Sequence, residues 1–186
     1  MVSVLSLWIP ILVSAVIVFV ASSVIHMLLP IHRNDLRKVP REDELLDALR
    51  RLDVPPGDYC LPHAGTPAGM KNPEFIEKMK RGPVALMTVS EGGSASIGSN
   101  LALWFLYLVI VSLLAGYIAG HALPAGARYR AVFRFAGMAA FMGYSLALLQ
   151  NSIWLKRNWG TTLRSVFDGL VYGLLTAGTF GWLWPR

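Results

Sequence analysis

The residues most able to do chemistry in this sequence are polar side chains that interrupt long apolar stretches. Asp168 is the only acidic residue within those stretches, and a carboxylate at membrane depth is costly enough to be paired, neutralised or functional. His26, Ser22 one helical turn before it, and the amides Gln150 and Asn151 fall at a similar depth under the topology derived below. We expect these five residues to form one polar cluster. A helix-end network that satisfies buried groups is the simplest interpretation, with a proton or ion relay and a binding site as alternatives.

A second set of potential metal ligands lies outside the apolar stretches. It contains imidazole, thiol and thioether groups, which suit copper(I) or another soft metal. Cys60 and His63 stand three residues apart, but the sequence has one cysteine and no repeated metal-binding box. Ordinary surface and turn roles are therefore favoured, and metal binding is the alternative. The candidate ligands are His32, Cys60, His63 and Met70.

Sequence motifs for other catalytic chemistries do not occur. The glycine-rich segment 91–94 lacks the lysine of a phosphate-binding loop. Neither a His-Glu-x-x-His zinc motif nor a Gly-x-Ser-x-Gly nucleophile motif is present. His26 and His121 fall at opposite membrane faces under the topology derived below, which disfavours a haem held between them. The sequence therefore predicts no catalytic residue and no cofactor apart from the possible metal.

Four apolar stretches must position these side chains. Hydrophobic residues make up 54% of the sequence and charged residues only 15%, which is typical of a protein whose solvent is the bilayer. Residues 4–29, 99–120, 131–154 and 161–184 each exceed the roughly 20 residues needed to cross the hydrocarbon core. The sequence predicts an all-α membrane protein, a bundle of four transmembrane helices.

Small residues recur at four-residue intervals on the last three predicted spans, including Ala136 and Ala140 on the third. Such spacing lets two helix backbones approach closely, and close packing drives helix association in lipid. Packing within the bundle is the favoured interpretation of this glycine-zipper pattern, and an interface with another chain is the alternative. The small residues are Gly169, Gly173, Ala177 and Gly181 on the last span, and Gly116 and Gly120 on the second.

The polar segment 30–98, which separates residues 1–29 from 99–186, has the signals of a small folded domain. Residues 42–51 have acidic residues first, basic residues last and a leucine stripe, which predicts an amphipathic helix. A second helix is predicted from Asn72 as N-cap and Pro73 as its first residue. Short strands are expected at 58–61 and 84–89. The predicted insertion is therefore an α/β unit of helix, strand, helix and strand.

The charge distribution predicts the orientation and disfavours a nucleic-acid partner. The formal net charge is +6, but basic and acidic residues balance each other between positions 30 and 99, so the surplus forms no phosphate-binding patch. Basic residues such as Arg37, Lys38 and Lys156 concentrate at span ends on one side. Four spans with this bias place both termini in the periplasm and residues 30–98 in the cytoplasm.

Five segments carry a resemblance to known proteins. They are SSVIHMLLP at 22–30, HRND at 32–35, RGPV at 81–84, NSIW at 151–154 and LLTAGTFGWLW at 174–184. In these segments the chain resembles a group of hypothetical bacterial multi-pass membrane proteins to which no activity is assigned. The resemblance implies a location in the bacterial inner membrane and carries over no catalytic residue.

The sequence favours an accessory, non-catalytic membrane protein that presents a small cytoplasmic domain to a partner or to the lipid surface. Its expected partners are the bilayer and either another membrane protein or a second copy of the chain. The alternative is a small transporter or a copper-type metal-handling protein that uses Asp168 with His26, or Cys60 with His63. A membrane-embedded enzyme comes third, because few titratable groups converge.

Overall fold

The computed structural model describes residues 1–93 and 96–186 and is mostly helical. Ser94 and Ala95, within the glycine- and serine-rich link before the second predicted span, lie outside the described residues. The chain forms two compact units. We call Met1–Leu36 with Ser96–Arg186 the helical unit, and Arg37–Ala95 the polar unit. The polar unit begins after residue 36, and not after residue 29 as the sequence predicts. Residues 30–36 belong to the helical unit because they contact the helix Trp159–Trp182.

The elements follow one another in a simple order. Short 3-10 helices precede and follow some of the longer helices, at Val4–Leu7, Pro30–His32, Gly69–Lys71 and Leu146–Leu148. A turn of π-helix covers Val24–Leu28. The helices and strands are α1 (Trp8–Ser23), α2 (Glu42–Arg51), β1 (Gly57–Leu61), α3 (Pro73–Arg81), β2 (Ala85–Val89), α4 (Ile97–Ala122), α5 (Tyr129–Ser145), α6 (Leu149–Ile153) and α7 (Trp159–Trp182).

Three helical segments in the described chain are long and apolar enough to cross a membrane. They are Val4–Leu28, Ile97–Ala122 and Tyr129–Ile153, and they correspond to the first three predicted spans. The fourth predicted span corresponds to α7, which is 24 residues long but less apolar, because Arg164 and Asp168 lie in its first half. Three of the four predicted spans thus form helices that could cross a membrane by their length and composition.

The end of the first span positions both histidines of the helical unit. Leu29 precedes Pro30 and has an extended backbone, since proline disfavours a helical conformation in the residue before it. The helix therefore stops, and the chain turns back through Pro30–His32. Because of this turn, the ring of His32 stacks on the ring of His26, with the ring centroids 4.5 Å apart.

The four long helices pack in pairs around a small-residue core. Helix α1 contacts α4 and α7, and α5 also contacts α4 and α7. Phe180, Leu7 and Leu108 are the largest fully buried side chains. The predicted third span is interrupted at Leu146–Leu148, where the Oγ atom of Ser145 donates to the carbonyl of Val166 on α7.

The polar unit contains the two helices and two strands that the sequence predicts. Strands β1 and β2 pair as a two-stranded antiparallel sheet, with Tyr59 opposite Met87. The Asn72 side chain caps α3 by accepting from the amide of Glu74 at 2.9 Å. Gly82, at φ +62°, ends this helix. None of the described residues 37–93 is buried.

Candidate functional site

Three ionisable side chains from three separate segments converge in the helical unit. His26 lies in the π-helical turn, His32 in the 3-10 turn after Pro30, and Asp168 in α7. The Nε2 atom of His32 is 2.9 Å from Oδ2 of Asp168, and that of His26 is 4.0 Å away. The predicted approach of His26 to Asp168 is therefore present, with His32 closer still.

An ion pair behind His32 sets the direction of its ring. Its Nδ1 atom lies 2.7 Å from Oδ2 of Asp35, and Arg164 donates to the other carboxylate oxygen through Nε at 2.9 Å and through Nη2. Burial raises the pKa of the Asp35 carboxyl, but the hydrogen bonds from His32 and Arg164 and the charge of Arg164 outweigh that effect and lower the pKa. The ionised carboxylate accepts, so Nδ1 of His32 carries the hydrogen.

A backbone carbonyl sets the direction of the second ring. Nδ1 of His26 lies 3.0 Å from the carbonyl oxygen of Ser22. A carbonyl can only accept, so this nitrogen also carries a hydrogen. The Ser22 hydroxyl donates to the carbonyl of Phe19 at 2.8 Å and accepts from Nε1 of Trp104 at 3.0 Å. Ser22 thus anchors the first and second spans to each other beside His26.

The atoms that face one another at the centre of this group have no hydrogen-bond partner. Asp168 is 3% exposed, and both of its carboxylate oxygens and Nε2 of His32 are buried without a bond among the described residues. The 2.9 Å separation of His32 and Asp168 lacks the alignment of a hydrogen bond. Buried polar groups without partners are rare in proteins. The arrangement can hold a cation or share a proton.

A cavity of about 720 Å³ adjoins the cluster. Ser22, His26 and Asp168 are among its polar lining residues, and aromatic rings line another part of it. The aromatic residues are Trp104, Tyr107, Tyr144 and Tyr172. The cavity therefore brings open space to the side of the buried Asp168, next to the more exposed His26.

Two amides of the predicted cluster, Gln150 and Asn151, make no hydrogen bond to its other members among the described residues. Gln150 and Asn151 belong to the short helix α6, and their backbone carbonyls accept from Trp154 and from Leu155 and Arg157. Among the described residues, no hydrogen bond joins either amide side chain to Asp168.

The structure divides the predicted soft-metal set between the two units. Cys60, His63 and Met70 belong to the polar unit, whereas His32 belongs to the helical unit with Asp168. Cys60 is exposed and its thiol donates to the carbonyl of Pro62 at 3.6 Å. Within residues 1–93 and 96–186, the one group of three or more His, Cys, Asp or Glu side chains able to hold a metal is His26, His32 and Asp168.

The small residues of the last span lie against α5. A Cβ atom added to Gly173 would lie 3.2 Å from the Cα atom of Phe141, and one added to Gly181 would lie 2.6 Å from the ring of Tyr129. A Cβ atom added to Gly169 would likewise collide with the hydroxyl of Ser145. Ala177 faces a glycine that the sequence pattern did not single out, Gly137.

The small residues of the second span lie against two other segments. An added Cβ atom on Gly116 would lie 3.0 Å from the ring of Phe180, and one on Gly120 would lie 2.6 Å from the carbonyl oxygen of Val2. The backbone of Val2 also donates to the carbonyl of Gly120 at 2.7 Å. These glycines allow close contact within one chain.

Three structural features thus distinguish the helical unit: two histidines whose Nδ1 atoms face hydrogen-bond acceptors, a buried carboxylate and an adjoining cavity. None of them carries a known family motif. Comparisons of the chain with models of protein families, with curated proteins and with solved structures find no match.

Proposed function

We propose that this chain is a four-span, accessory protein of the bacterial inner membrane whose polar unit lies against the cytoplasmic lipid surface. The fourth span in this proposal is α7. Its 24 residues extend for about 36 Å at 1.5 Å per residue, enough to cross the hydrocarbon core. It packs against α1 and α5, which belong to two of the candidate spans. Its charged residues Arg164 and Asp168 lie toward one end, near Asp35 and His32.

The observation that carries the proposed function is the exposed apolar surface of the polar unit. Helix α2 has leucines on one face and charges on the other, yet Leu45 and Leu46 are each 42% exposed. On α3, Ile76 and Met79 are exposed as well. Amphipathic helices with this pattern lie in the membrane interface, with the apolar face toward the acyl chains. On α3 the basic residues outnumber the acidic ones by three to two, and basic residues attract such a helix to anionic lipids.

The orientation in this proposal follows the basic residues. Lys and Arg near span ends stay on the cytoplasmic side, and they are more frequent around the polar unit than near residues 1 and 186. We therefore expect Cys60, the only cysteine and an exposed one, to resist a membrane-impermeant maleimide in intact cells. Permeabilising the membrane should make it reactive.

The control for this labelling experiment moves the thiol to the opposite side. A Cys60→Ser/Arg186→Cys variant should react in intact cells, since residue 186 is expected in the periplasm. Labelling of Cys60 before permeabilisation would show that the chain has the opposite orientation in the membrane. Labelling of both positions from the same side would contradict an even number of spans.

A second experiment measures whether α2 lies in the lipid interface. In a Cys60→Ser background, a spin label is attached at Leu46→Cys on the apolar face or at Asp47→Cys on the polar face. In liposomes with anionic lipid, we expect the label at 46 to be relaxed mainly by oxygen, and the label at 47 mainly by a water-soluble nickel complex. The reason is that oxygen concentrates in the acyl region and the complex stays in water.

The paired labels make the proposed function testable against its alternative. Equal exposure of both labels to the nickel complex would contradict docking on lipid and would leave the leucine face for a protein partner. A difference that disappears in liposomes of neutral lipid would show that basic residues contribute to the attachment.

A further inference from the structure

The three side chains that converge beside α7 present lone pairs toward one another. Nδ1 of His26 donates to a carbonyl and Nδ1 of His32 donates to a carboxylate, so Nε2 of each neutral ring is an acceptor. Both Nε2 atoms face Asp168, at 4.0 and 2.9 Å. Three acceptors in this arrangement repel one another unless a cation lies between them.

Burial strengthens the requirement for a cation. Asp168 is almost fully buried and neither of its oxygens has a hydrogen-bond partner. A buried carboxylate without a counter-charge is strongly disfavoured. The arginine nearest in sequence, Arg164, is engaged by Asp35 instead. The positive charge that Asp168 needs must therefore come from a proton or from a bound ion.

We propose that His26, His32 and Asp168 bind a divalent transition metal ion of the Zn²⁺ class. Two imidazole nitrogens and one carboxylate oxygen form a ligand set that such ions prefer. These donors are harder than the thiol of Cys60, which with His63 was the alternative site considered for the soft Cu⁺ ion. This site is a function separate from lipid docking of the polar unit, and either one can exist without the other.

The distances in the cluster are compatible with a metal after a small adjustment. The three ligand atoms lie within 4.8 Å of one another, whereas ligands about 2.1 Å from one zinc ion are roughly 3.4 Å apart. His26 has to move by about 1 Å to meet this requirement. Its side chain is 51% exposed, so it can move at small cost and can receive an ion from outside.

Three protein ligands leave a coordination position for water or another small ligand. The cavity beside His26 and Asp168 supplies the space for it. Behind His32, the Asp35–Arg164 pair supplies the outer contact that metal-binding histidines usually have through their second nitrogen. The site thus has its ligands, an open side and a supporting carboxylate.

The test is a Zn²⁺ titration of the full chain in detergent after chelator treatment, followed by calorimetry and by metal analysis of the separated protein. The parent should bind about one ion per chain, and Co²⁺ in its place should give visible absorption bands. His32→Ala and Asp168→Asn should each lose more affinity than the roughly 10–100-fold cost of losing an outer-shell partner. His26→Ala serves as a third variant, because this exposed residue can be removed with little risk to folding.

The matched control is His121→Ala. His121 is exposed and its Nδ1 atom lies 2.9 Å from the carbonyl four residues before it, the same local bond that His26 makes, but no acidic side chain faces it in the described structure. This variant should bind Zn²⁺ like the parent. Absence of Zn²⁺ binding by the parent would overturn the proposal in favour of a shared proton. Binding that survives His32→Ala but is lost in Cys60→Ser/His63→Ala would overturn it in favour of the polar unit.

Discussion

Asp35→Ala should lower the affinity for Zn²⁺ by about 10–100-fold, although Asp35 is not a ligand of the proposed metal. Its carboxylate accepts the Nδ1 hydrogen of His32 at 2.7 Å, which leaves Nε2 free to bind the ion. Without this acceptor the hydrogen can move to Nε2, and the ring loses its lone pair toward Asp168. Burial raises the pKa of the Asp35 carboxyl, but the hydrogen bonds from His32 and Arg164 lower it by more and favour the ionised form.

The conservative variant separates positioning from folding. Asp35→Asn keeps an oxygen that can accept from His32 and should retain most of the Zn²⁺ affinity, whereas Asp35→Ala should not. The tautomer of His32 can be followed by nitrogen NMR without metal, and it should become mixed only in the alanine variant. Equal losses in both variants, with an unchanged tautomer, would show that Asp35 acts on the fold and not on the ring.

The sign of the pH dependence follows from the same contacts. A proton and a metal ion compete for Nε2 of each histidine, so the affinity for Zn²⁺ should fall as the pH is lowered. The ionised form of Asp35 is stabilised in the folded state, since its pKa is lowered there. The ionised Asp35 carboxylate therefore stabilises the folded chain at any pH above the pKa that this carboxyl has in the unfolded chain. This stabilisation is lost as the pH falls through the lowered pKa of the folded chain.

Gly137→Ala should destabilise the helical unit by about 1–3 kcal/mol, the usual cost of overpacking a well-packed site. The added methyl group would lie 2.7 Å from the Cβ atom of Ala177. Neither group can rotate away, because a Cβ position is set by the backbone. Helices α5 and α7 would have to separate, and packing contacts are the main drive for their association in lipid.

Gly178→Ala is the matched control for this prediction. It makes the same chemical change on α7, but the added Cβ atom meets nothing closer than the Tyr129 hydroxyl at 3.7 Å, an ordinary contact. Unfolding titrations in mixed detergent micelles should give a lower free energy of unfolding for Gly137→Ala and little change for Gly178→Ala. Similar stabilities for the two variants would contradict close packing of α5 on α7.

Local sequence patterns were enough to predict much of the architecture. The apolar stretches indicated a membrane protein, because each is long enough to cross the bilayer as a helix. A helix satisfies the hydrogen bonds of its own backbone in lipid, where no water is available. The Asn72 cap, the helix termini of the polar unit and its two strands also follow from neighbouring residues. Asp168 could also be identified from its neighbours in the sequence, because it is a single acidic residue in an apolar stretch.

Only the tertiary structure decided which residues meet. His32 reaches Asp168 because the chain reverses at Pro30, and Asp35 meets Arg164 across 129 positions of sequence. The pairing of Gly137 with Ala177 likewise depends on how α5 lies on α7. Sequence spacing reports neighbours along one helix or strand, whereas these contacts depend on how separate helices pack. The candidate metal centre is therefore a property of the packed helices, although each of its three side chains was visible in the sequence.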